Sequence, residues 1–222
     1  MVARHRQLGD ILADAEHLEL ANEMCYEGTP AYKERIWASQ NGWETCEFTA
    51  NWENTIELIN RGVPFTLATI HPGGGHLQAI VGYDERRKTM LVRDPYYQRF
   101  DEYLAEELLE NQKSSGPRGM ALVPAEKSEL LQGVNLTESR HYDFLFGVDS
   151  ALEKHNRDQA LQTLEEMEKE FPDHRLTWSA RWALAAYDSN TPKLLKAVEA
   201  LLQKFPDDVN LKMSCLSISQ EF

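Results

Sequence analysis

Cysteine is scarce in this sequence. The three residues, Cys25, Cys46 and Cys215, are odd in number and widely spaced. They fit no disulfide framework and no zinc spacing, so a reducing, cytoplasmic setting is the expectation. Long apolar runs are missing as well: none approaches the ~20 residues that span a bilayer. The N-terminal "MVARHRQLGDILADAEHLELA" has two arginines but no signal core, because acids interrupt it from Asp10 onward. Positive charge is in deficit. The formal net charge is −13, and residues 1–126 and 127–222 are each acidic. That excludes the clustered Lys/Arg on which nucleic acids and anionic membranes depend. "HPGGGH" lacks the Lys-Ser/Thr ending of a phosphate loop. His71, His76 and Asp94 lack the further ligands of a metal site. No cofactor and no metal are expected.

What is present divides the chain in two. In residues 11–24 the apolar positions follow mostly helical spacing. "YEGTP" (26–30) reads as a turn that starts a helix over "AYKERIWASQ", closed by Asn41-Gly42. "NWENTIELINRG" (51–62) reads as another helix. "VPFTLATI" (63–70), "HLQAIVGY" (76–83), "TMLVRD" (89–94) and "GMALVP" (119–124) read as strands, with "DERRK" as a polar hairpin connection. "FDEYLAEELLENQ" (100–112) reads as a helix with acids in its first turn. Residues 1–126 therefore predict an α+β layout, helices packed on a mostly antiparallel sheet. Trp43, Phe48 and Trp52 are expected beneath that sheet.

Residues 127–146 read as a linker, and strand signal is nearly absent from about 140 onward. Here a repeat appears: Phe171-Pro172-Asp173 recurs as Phe205-Pro206-Asp207, 34 residues later. Ahead of each triplet, Ala160, Leu164 and Met167 align with Leu194, Val198 and Leu201. The period and the proline position make residues 147–222 resemble tetratricopeptide repeats, an all-α helical-repeat domain. Such units bury their faces only against neighbours. An array ending near Phe222 implies either a fragment of something longer or a partner over that end. Trp178 and Trp182, one turn apart, are expected to pack between repeats or to line a peptide groove.

The chemistry lies in the sheet. In an antiparallel hairpin, His76 at the head of one strand and Asp94 at the tail of the next approach each other across the 84–88 connection. A carboxylate there accepts the ring Nδ1–H and fixes the tautomer. Papain-like chemistry needs such a pair together with a thiolate. The stretch "GVPFTLATI…GHLQAIVGYDERRKTMLVRDP", with Gly75-His76, Gly82-Tyr83-Asp84 and Asp94-Pro95, resembles the His–Asp half of the bacteriocin-processing cysteine peptidases, which cut after double-glycine leaders. The resemblance covers residues 11–126. It implies a papain-like fold with His76 as general base and Asp94 as its orienting acid.

The family's nucleophile opens a helix in a Cys-Gly-Pro-Ala-like stretch, with an oxyanion-hole glutamine shortly before it. This sequence contains no such stretch, and residues 1–10 contain no cysteine. Cys25 remains the one candidate nucleophile. It follows a predicted helix rather than opening one, so it lacks the helix N-terminus that lowers a thiol pKa. The expectation is a peptidase-like domain without its nucleophile, fused to helical repeats and binding a peptide or protein partner through groove and repeats, without nucleic acid or membrane insertion. Two alternatives stand beside it. One is a working cysteine peptidase whose thiol lies upstream or is Cys25. The other is a repeat scaffold in which the sheet domain has no role of its own.

Overall fold

A computed structural model describes residues 30–71, 74–97 and 99–220. The helix expected over 11–24, the turn before Pro30 and Cys25 lie outside the described residues. The order from Pro30 is α1 (Ala31–Gln40), β1 (Trp43–Thr49), α2 (Trp52–Asn60), β2 (Phe65–His71), β3 (Gly74–Asp84), β4 (Thr89–Arg93), β5 (Phe100–Leu104), α3 (Ala105–Glu110) and β6 (Arg118–Pro124). A 3-10 segment (Ala125–Leu130) leads to α4 (Ser139–Glu153), α5 (Arg157–Glu170), α6 (Arg175–Tyr187), α7 (Thr191–Lys204) and α8 (Val209–Ser219). The strands form a single antiparallel sheet in the order β1-β6-β2-β3-β4-β5. The architecture is α+β: a six-stranded antiparallel sheet with helices, followed by a helical region.

Local signals explain the main elements. Asn51 starts α2 through a reciprocal cap: its side chain accepts from Asn54 N–H at 2.8 Å, and Asn54 Oδ1 accepts from Asn51 N–H at 2.9 Å. One face of the sheet carries Phe48, Phe65, Leu67, Ile80, Met90 and Val92, all almost fully buried, with Leu58 of α2 closing over them. Phe48 meets Phe65 edge-on at 5.2 Å. Gly119 leaves room for this pair; a Cβ there would sit 2.8 Å from Phe48 Cζ. Trp52 packs against the same cluster and meets the Tyr83 ring at 5.9 Å, while Trp43 is half-buried at the start of β1.

Two strands go beyond the sequence reading. β1 pairs with β6 in seven register positions from Trp43↔Pro124 to Thr49↔Arg118. The helix expected over 100–112 is corrected: residues 100–104 form edge strand β5, paired with β4 from Thr89↔Leu104 to Arg93↔Phe100, and the helix is only Ala105–Glu110. Side-chain contacts across the strands override local helix propensity. Glu102 accepts from Thr89 Oγ1 and lies 2.9 Å from Arg87 Nη2, pinning the segment in extended form.

The helical region has its own buried cluster around Tyr142, Val148, Leu164, Met167 and Leu176. Its 34-residue recurrence is visible in the backbone. Asn156 and Asn190 cap α5 and α7 identically, each accepting from the N–H three residues on, at 3.2 and 3.1 Å. The residues before them, His155 and Ser189, both have positive φ, 54° and 50°. A polar knot ties this region to the sheet. Arg175 donates to Ser115 O at 3.0 Å and Thr49 Oγ1 at 2.7 Å, and pairs with Glu138. His174 Nε2 lies 2.8 Å from Glu138 Oε1. Burial alone would raise Glu138, but the His174 and Thr49 hydrogen bonds and the Arg175 charge hold it down at about 2. Among the described residues, no helix is long and apolar enough to cross a membrane.

Candidate functional site

His76 and Asp94 come together, and one inserted residue decides it. β3 pairs with β4 as Asp84↔Thr89, Tyr83↔Met90 and Gly82↔Leu91, then shifts to Ile80↔Val92 and Ala79↔Arg93. Val81 is the extra residue of a β-bulge. Without it, Asp94 would fall opposite Ala79 and point to the other face from His76, because side chains alternate along a strand. With it, Asp94 falls opposite Gln78, on the face of His76.

The result is a hydrogen bond of 2.7 Å between His76 Nε2 and Asp94 Oδ2. The expectation of an Nδ1–H bond is thereby corrected. The register places Asp94 two residues along the strand from His76, so the ring leans along β3 and reaches it with its distal nitrogen. Asp94 accepts the Nε2–H, which leaves Nδ1 of the neutral ring as an acceptor. The imidazole remains 22% exposed while Asp94 is buried.

Tyr96 fixes both partners. Its N–H donates to Asp94 Oδ1 at 2.8 Å, and its ring stacks on the imidazole at 5.2 Å with 16° between planes. Desolvation acts to raise the Asp94 pKa, but the Tyr96 N–H and the His76 hydrogen bond outweigh it and hold the carboxyl below its ordinary value. Asp94 is therefore an anion throughout the neutral range.

Three residues that sequence reasoning passed over support the pair. Gln78 donates to Thr69 Oγ1 at 3.3 Å, and Thr69 donates to His76 O at 3.3 Å. Gln112, 3% exposed, grips Ile70: its Oε1 accepts from Ile70 N–H at 2.7 Å. Ile70 pairs with Gly75 and Thr69 with His76, so this grip holds the strand that carries the histidine. Gln78 was legible from its period-2 spacing after His76. Gln112, 42 positions from its partner, was not.

The described thiols lie elsewhere. Cys46 sits on β1, the far edge of the sheet from β4 and β5, and Cys215 on α8. Burial first, then the charge of Asp143, pushes the Cys46 thiol up to about 11, so it stays protonated. Cys25 is not among the described residues. His71 ends β2. No group of three or more His, Cys, Asp or Glu side chains able to hold a metal occurs among the described residues.

A cavity of about 490 Å³ opens on the opposite face of the sheet and reaches Gly75, His76 and Leu77. Its other walls come from β2, from α1 through Glu34, and from the helical region through Leu145, Leu176 and Ser179. A second hollow, of about 470 Å³, lies among α5, α6 and α7 and is bordered by Trp178. There Arg181 covers the indole at 4.0 Å, and the indole N–H donates to Asp173 at 3.2 Å.

A family model described as the Peptidase_C39 like family matches residues 3–115, just over half of the chain. Comparisons with curated proteins and with solved structures returned no match.

Proposed function

The chain belongs to the Peptidase_C39 like family, and from that premise we propose that it is a peptidase-like module that binds an extended peptide at the His76 end of its sheet without hydrolysing it. The reading that it lacks its nucleophile rests on one observation: a His–Asp pair whose Nδ1 carries no partner among the described residues, with both described thiols on distant elements. In this reading His76 and Asp94 have the roles of base and orienting acid. Nδ1 is the atom that would take a thiol proton, and Asp94 would stabilise the imidazolium formed. With no thiolate to serve, the pair becomes a polar anchor for a peptide group.

The helical region is the module's second binding element. Its 34-residue recurrence and the hollow beside Trp178 support a tetratricopeptide-like scaffold that takes a protein or peptide segment. A rival reading, a working cysteine peptidase whose nucleophile lies upstream or is Cys25, is favoured by the same Nδ1, which has no partner among the described residues.

Calorimetric titration of the chain with an extended peptide containing Gly-Gly tests the binding reading. Measurable affinity is expected, weakened about tenfold or more by His76→Ala, on the scale of losing a hydrogen-bonded polar contact. Equal affinity in the variant would place binding elsewhere.

A further inference from the structure

The cavity between the sheet and the helices contains one acidic group that the described residues leave unmatched. Glu34 lies in the first turn of α1 and faces the cavity, and its carboxylate has no hydrogen-bond or ion-pair partner among the described residues. Glu47 and Arg35 beside it are committed. Glu47, fully buried, accepts from Arg118 Nε at 2.6 Å and from Arg35 Nη1 at 3.1 Å. The other terminal nitrogen of Arg35 goes to Asp143 at 2.8 Å. Arg118 also lines the cavity, and its Nη2 is buried without a hydrogen-bond partner among the described residues. Asp149, on α4, adds a further acid close to Glu47 and Arg118.

Against two arginines stand four carboxylates: Glu34, Glu47, Asp143 and Asp149. Burial, and then the Glu47 charge, raise the Glu34 carboxyl to about 7. As an anion, a buried acid of this kind is unfavourable unless it takes up a proton or gains a counter-charge. Ile70, Leu77, Met120, Leu145 and Leu176 supply apolar walls beside the ion-paired Glu47 and Arg118. A cavity with these apolar walls, in which Glu34 is the carboxylate without a partner among the described residues, suits an alkyl chain ending in a cation. Its volume lies within the ~300–1,000 Å³ of small-ligand pockets.

We propose that this cavity is a subsite for one lysine or arginine side chain of an extended peptide, with Glu34 as its counter-ion and Leu145 and Leu176 as its apolar walls. The inference rests on the peptide-binding reading above and deepens it. Two of the specificity walls come from the helical region, so that region selects the peptide at the sheet domain as well as through its own hollow.

The test uses the full chain, fluorescence anisotropy and a set of N-acetylated, C-amidated decapeptides containing Gly-Gly, with each other position occupied in turn by lysine or by norleucine. At one position, lysine is expected to bind about tenfold tighter than norleucine, the order expected when a partly buried charge gains its partner. Glu34→Gln keeps the side-chain shape and removes a charge that no described residue pairs. It is expected to reduce that ratio to about threefold or less. A set that binds with no lysine preference, or a preference that survives Glu34→Gln, overturns the subsite alone. A preference that appears only when the acetyl group is removed overturns it in favour of the peptide amino terminus. Absence of binding by every peptide overturns the subsite and the peptide-binding reading together.

Discussion

At the scale of single residues, the buried charges set how the protein responds to pH. Glu34 is raised to about 7, by burial and then Glu47, and Asp149 to about 6, by burial and then Glu47 against the opposing Arg118. A carboxyl whose folded pKa exceeds its unfolded one favours the fold while protonated. That stability is lost as pH rises through the folded value. The Glu34 contribution is therefore present below about 4.5 and gone above about 7. Glu138, held at about 2, acts in the other direction: its contribution is present above about 4.5 and lost as pH falls towards 2. Denaturant unfolding should find Glu34→Gln more stable than the parent by about 1–3 kcal/mol at pH 8, and no more stable at pH 4. Equal stability at pH 8 would mean that the Glu34 carboxylate is already paired.

At the scale of elements, the helical caps and the bulge carry the architecture. Asn190 accepts from Lys193 N–H as Asn156 does from Gln159 N–H, each at the entry to the second helix of its unit. Asn190→Ala should cost about 1 kcal/mol in thermal or denaturant unfolding; a cost near zero would show that the recurrent cap is incidental. The helices α1 and α2 and the strands β2, β3, β4 and β6 follow from periodicity and from Gly, Asn and Pro punctuation, and the all-helical character of the later region was legible, but α4 begins at Ser139, inside the stretch read as a linker. β1 was not. Its Glu44 and Glu47 break the apolar pattern, and Glu47 is tolerated at zero exposure only because Arg35 and Arg118 converge on it from other elements. β5 was misread for a related reason, since Glu102 finds its partners in Thr89 of β4 and Arg87 of the β3–β4 connection, far from it in sequence. The His76–Asp94 pairing was legible from spacing, but the nitrogen used was not, because the Val81 bulge shifts the register by one.

At the scale of the whole molecule, two buried clusters meet through Arg175, Glu138 and Thr49, and the helical region supplies part of the wall of the cavity that reaches His76. Sheet and helices thus act on one peptide in the proposed function. The central claim is that the His76–Asp94 pair serves binding and not bond cleavage. Mass spectrometry of a double-glycine leader peptide incubated with the full chain under reducing conditions tests it most directly. The account predicts that the peptide is recovered intact. A fragment ending in Gly-Gly, formed with turnover and abolished by Cys25→Ala, would contradict it.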